Sequence, residues 1–128
     1  MADDFDILTA ALAALMQRAA VGMTVSRSGP DGCELLAAWD NPARRGQRIW
    51  FGGVKRMKGY VSYHLMPVYT HAALAAAISP ALKKRMQGKS CFNFRAEDPA
   101  LFAELEALTR EAARLYEQPF RLERPGPP

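Results

Sequence analysis

Apolar residues recur every three or four positions at the two ends of this chain and every second position through much of its middle, and that switch of period decides the fold class. Over Asp4 to Ala20, Phe5, Leu8, Leu12, Leu15, Met16 and Ala19 form one helical stripe, and the acids Asp4 and Asp6 at its start suit the positive end of a helix dipole. Gly22 supplies its stop. Near the other end, Asp98-Pro99 places a capping side chain before a proline in the first helical position. It opens the longest helix, to Glu117, with Leu101, Phe102, Leu105, Leu108, Ala112 and Leu115 as the apolar face and Pro119 as the end.

Between them lie strands. Met23–Ser28 and Cys33–Trp39 flank Gly29-Pro30-Asp31-Gly32, a strong turn signal, so they predict a hairpin. A second hairpin follows the basic loop Ala43–Gln47: Arg48–Val54, a turn near Lys55–Gly59, then Tyr60–Leu65, with Pro67 as its end. The Ala-rich run His71–Ile78 is helical, and Ser79-Pro80 opens a short helix to Met86 that Gly88 terminates. Ser90–Arg95 alternates with period two and predicts one more strand. The expectation is an α+β fold: a single domain over residues 1–120, with an antiparallel sheet of about five strands and N-terminal, short central and C-terminal helices packed mainly on one face. Residues 121–128 are expected to be a flexible Pro-rich tail.

At 128 residues, 49% hydrophobic and 23% charged, the chain can bury a core without metal or disulfide staples. Cys33 and Cys91 form no Cys-x-x-Cys pair and sit in apolar runs, which favours reduced thiols. The acidic start is unlike a signal peptide, and no apolar run approaches a membrane span, so a cytoplasmic protein without membrane attachment is expected. Neither His64 nor His71 has Cys or His neighbours at zinc-site spacing; no metal and no cofactor are expected.

Charge narrows the partner class. Between Asp40 and Glu97 there is no Asp or Glu, yet eleven Lys and Arg, while all thirteen acids lie outside that window; the net charge of +4 conceals this polarity. Lys55, Arg56 and Lys58 cluster in one turn, and Lys83, Lys84, Arg85 and Lys89 around a short helix end. Such a surface attracts an anionic small molecule, an acidic protein partner or nucleic acid, with Trp50 and Tyr60 as surfaces on which bases could stack.

Pleating sorts the side chains further. If Tyr63, Leu65, Phe92 and Phe94 pack under the helices, then Ser62, His64, Cys91, Asn93 and Arg95 gather on the other face. A thiol, an imidazole and an amide are the groups of a thiol nucleophile site, so a thiol-dependent enzyme using Cys91 and His64 is one alternative. A polar second face is also what any half-exposed sheet presents, so no catalytic residue is assigned. A homo-oligomeric module, associating through Trp39, Trp50 or the final helix, is the other alternative.

The runs Lys58-Gly59-Tyr60-Val61-Ser62-Tyr63-His64-Leu65-Met66-Pro67, Ile78-Ser79-Pro80, Leu82–Lys89 and Cys91-Phe92-Asn93-Phe94 resemble small bacterial domains of unknown function related to the YdhG-like group. The resemblance covers about Trp50 to Tyr116 and implies a helix, a meandering sheet, a short helix, a strand and a final helix. Some YdhG-like proteins are described as frataxin-like iron chaperones; that role needs an acidic surface, which the central window lacks. The resemblance implies a ligand-facing surface near Tyr60, His64, Tyr69, Arg85, Lys89 and Asn93. The leading expectation is a non-enzymatic domain whose basic surface binds an anionic ligand or partner.

Overall fold

A computed structural model describes residues 3–42, 44 and 46–119, so the expectations for Ala43, Arg45 and the tail 121–128 fall outside the described residues. The chain opens with helix α1 (Asp4–Ala19), capped by Asp3, whose side chain accepts from the Asp6 N–H while Asp6 reaches back to the Asp3 N–H. Strands β1 (Thr24–Gly29), β2 (Gly32–Asp40), β3 (Arg48–Arg56) and β4 (Val61–Leu65) follow as an antiparallel meander. Three short helices come next, α2 (Met66–Thr70), α3 (Ala72–Ala76) and α4 (Pro80–Lys83). Then β5 (Met86–Gln87), β6 (Cys91–Phe94) and helix α5 (Pro99–Leu115) complete the domain.

The sheet has six strands in the order β1-β2-β3-β4-β6-β5. The strand beyond the expected five is β5. Lys83-Lys84-Arg85-Met86 has helix-forming composition, but α4 stops at Lys83 and the chain turns at Gly88, in the left-handed region (φ 76°), to pair Met86 with Phe92. Gly88 therefore closes a hairpin instead of ending a helix. Pro67 likewise starts an element: it occupies the first turn of α2, a helix with no side-chain cap to announce it.

The alternation read from β4 and β6 holds. Their residues pair as Val61 with Phe94, Ser62 with Asn93, Tyr63 with Phe92 and His64 with Cys91. Val61, Tyr63, Leu65, Phe92 and Phe94 are no more than 1% exposed and join Leu8, Leu12, Met16 and Leu105 in one core under α1 and α5. Tyr63 carries a polar group into that core. The Thr109 hydroxyl donates to the Leu105 carbonyl (2.7 Å), so the Tyr63 hydroxyl, 2.6 Å away, donates to Thr109. Burial pushes the Tyr63 phenol far above its usual range, which keeps it a neutral donor.

Of the apolar groups named for self-association, Trp39 and much of the α5 stripe have partners within the fold. Trp39 donates its indole N–H to the Tyr116 carbonyl (3.0 Å), and Leu101, Leu105, Leu108 and Ala112 of α5 are buried.

Candidate functional site

A bulge shapes the sheet face that carries no helix. Leu35 pairs with Gly52 but Leu36 pairs with Trp50, so β3 holds one extra residue, Phe51, at that point. Phe51 turns fully into the core, edge-on to Tyr116 (5.8 Å between ring centres). Trp50 turns the other way and sets its indole edge-on to the His64 ring, 4.5 Å between centres.

Next to that indole is Gly53, which lies opposite Glu34 on β2 and His64 on β4. A Cβ on Gly53 would stand 2.7 Å from the Cys33 carbonyl oxygen and 3.5 Å from the Trp50 ring. Beside it opens a cavity of about 250 Å³. Trp50, Tyr60 and Met57 form its apolar wall; Ser62 and His64 supply hydrogen-bonding groups; Arg27, Lys55 and Glu34 supply charge. Asp31, just outside the lining, takes the hydrogen bonds of Arg27.

His64 is held from two sides. Its Nε2 lies 2.6 Å from the Ser90 Oγ and its Nδ1 3.2 Å from the Cys91 Sγ, so the thiol–imidazole pair does form. Its electrostatics oppose activation. Burial pushes the Cys91 thiol up, against a smaller opposing effect of the Ser62 hydrogen bond, and burial pushes the His64 imidazole down. Both changes favour a neutral thiol beside a neutral imidazole over a thiolate–imidazolium pair. The cavity is lined by His64 and not by Cys91.

The lowered His64 pKa has a consequence for stability. The unfolded chain binds this proton at its ordinary value near 6.5, more readily than the folded chain does. The contribution of a neutral, folded His64 is therefore fully present above about pH 6.5 and is lost as pH falls below it. Urea midpoints should decrease between pH 7.5 and pH 5.5, and His64→Gln should flatten that slope; equal slopes in the two proteins would refute the assignment.

The expected site residues divide into three groups. Tyr60 and His64 line the cavity, and Asn93 stands on the same face opposite Ser62, with its Oδ1 buried and without a hydrogen-bond partner. Tyr69 and Lys89 form a separate pair, the ammonium 5.7 Å from the ring centre. Arg85 lines a different groove, with Lys84, Asp98 and Leu101. The basic window is also less bare than its sequence: Arg56 binds Asp3 (2.7 Å) and Asp6 from the helix start, and Arg48 lies 3.7 Å from Asp40. This pairing holds Asp3 well below the usual carboxylate range.

Arg27, Glu34, Met57 and Gly53 were not singled out as site residues from the sequence. A Gly-Gly pair inside a strand such as Gly52-Gly53 is a general mark of close backbone approach, and the alternation of β2 places Glu34 opposite in direction to Cys33 and Leu35. Neither signal says that β2 lies beside β3 in the register that brings Glu34 to Gly53.

Comparisons with family models, curated proteins and solved structures find no match. Among the described residues, no three His, Cys, Asp or Glu side chains converge to hold a metal ion, and no helix is long and apolar enough to cross a membrane.

Proposed function

We propose that this domain binds a small anionic ligand in the cavity on its open sheet face. One observation carries the reading: the exposed Lys55 lines that cavity with no carboxylate partner among the described residues, beside hydrogen-bonding and aromatic groups from neighbouring strands. A lone ammonium at a lined concave site is a point charge suited to a phosphate or carboxylate. Tyr60, Ser62 and His64 supply the orienting contacts. The relationship to YdhG-like domains belongs to the same proposal and rests on the runs Lys58–Pro67, Ile78-Ser79-Pro80, Leu82–Lys89 and Cys91–Phe94; the iron role does not.

A thermal-shift screen of phosphates, phosphorylated metabolites and organic acids at low salt tests this reading, since a ligand that binds only the folded state raises its melting temperature. Lys55→Ala should weaken the best ligand about tenfold, the equivalent of roughly 1.5 kcal/mol for one charged hydrogen bond. If no anion shifts the transition, or Lys55→Ala binds like the parent, the reading fails.

The 3.2 Å Cys91–His64 contact supports a second reading, a thiol-dependent enzyme. The neutral pair predicts slow chemistry: iodoacetamide should label Cys91 more slowly than a free cysteine at pH 7.5, with the rate rising only in the alkaline range. Fast labelling at neutral pH would favour the enzyme over the binding domain.

A further inference from the structure

The cavity sets both signs of charge beside aromatic rings, and that combination selects among anions. Building on the anion-binding reading above, we infer that the ligand is a nucleoside phosphate whose base carries an exocyclic amino group.

Three features of the site lead there. The first is the wall: Trp50 and Tyr60 offer ring surface on which a planar base can stack, and Gly53 keeps the adjacent floor free of a side chain. The second is size. A volume of about 250 Å³ falls short of the ~300 Å³ at which pockets for whole drug-sized ligands begin. It has room for a base, with the sugar and phosphate outside, where Lys55 can reach the phosphate.

The third feature is Glu34, because stacking alone does not distinguish one base from another. Arg27 Nε lies 3.8 Å from the Glu34 carboxylate, an ion pair longer than a hydrogen bond, while Arg27 spends its hydrogen bonds on Asp31 at 3.1 and 3.3 Å. Glu34 thus keeps acceptor capacity in a cavity that Lys55 also lines. A carboxylate accepts from the amino group of cytosine and repels the carbonyl oxygen that uracil presents at the same ring position. The Lys55 ammonium attracts the phosphate, and Glu34 chooses the base.

Isothermal titration of the full chain with cytidine 5′-monophosphate, uridine 5′-monophosphate and inorganic phosphate at low salt decides the matter. The cytidine nucleotide should bind about tenfold tighter than the uridine nucleotide, and tighter than phosphate. Glu34→Gln, at a half-exposed side chain, should bring the two nucleotides within about twofold, because an amide can donate as well as accept. Equal binding of the two nucleotides, or phosphate binding as tightly as either, would overturn the base assignment and leave the anion site standing. A cytidine preference that survives Glu34→Gln would overturn it too. No binding of any of the three, with no other anion active in the thermal-shift screen, would remove both.

Discussion

Tyr116→Ala should cost about 3–5 kcal/mol, the range for truncating a buried aromatic, and so take a large share of the roughly 5–15 kcal/mol that holds a domain of this size. Tyr116 is 1% exposed at the end of α5, where the helix meets the sheet. Its ring contacts Phe51 at 5.8 Å, Trp39 at 6.4 Å and His71 at 5.7 Å, so one side chain ties the bulged strand, β2 and the start of α3 to the last helix. Its hydroxyl lies 2.7 Å from the Thr70 Oγ1, and burial pushes its pKa up to about 12, so it stays protonated. Tyr116→Phe separates the two contributions. It keeps the ring and removes one buried hydrogen bond, and should cost about 1 kcal/mol. Urea unfolding of both variants checks the pair: the Ala midpoint should fall far below the Phe midpoint at similar slope. Equal midpoints would mean that the ring packing contributes little.

That contact network explains what could and could not be read from the residues alone. The stripe of α5 and the alternation of Phe92 and Phe94 with Cys91 and Asn93 were legible, because burial of one face imposes a period on the sequence itself. The partition of His64, Cys91 and Asn93 to the open face followed from the same rule. The ends of elements were harder. Pro67 can close a strand or open a helix, and the Leu65 cap of α2 has no side-chain signature. Lys83–Met86 is helical by composition, and its last residue becomes β5 only because β6 offers an edge to pair with.

The candidate site was half legible for a related reason. Tyr60, His64 and Asn93 come from β4, β6 and the turn before β4, whose faces alternation predicts. Arg27 and Glu34 arrive through the β1–β2 and β2–β3 ladders, whose bulges shift the register by one residue, and a shift of one moves a side chain to the other face. Charge segregation was legible, but its neutralisation was not: Arg56 meets Asp3 and Asp6 across about fifty positions of sequence. Lys55 next to it, without a carboxylate partner among the described residues, is therefore more informative than the count of basic residues.

Gly52→Ala should have the next largest effect, about 3 kcal/mol, at the upper end of the usual cost of overpacking a core. A Cβ there would lie 2.3 Å from the His64 carbonyl oxygen and 3.3 Å from the Met16 Cε. The Met16 methyl can swing aside, since it is the end of a flexible chain. The carbonyl cannot, because it belongs to β4, where Gly52 pairs with Leu65 and Gly53 with His64. The two central strands must part at this point, and His64 moves with them, so anion binding should weaken even where the variant is still folded. Gly59 provides the contrast: a Cβ there meets nothing within 4 Å. Gly59→Ala should change stability by no more than about 0.5–1 kcal/mol, with a gain arising from the less flexible unfolded chain. Paired urea titrations, with ligand binding measured in 0 M urea, test the argument. A Gly52→Ala midpoint equal to that of Gly59→Ala would show that β3 and β4 yield without cost, and would leave the position of His64 without the backbone constraint argued for it.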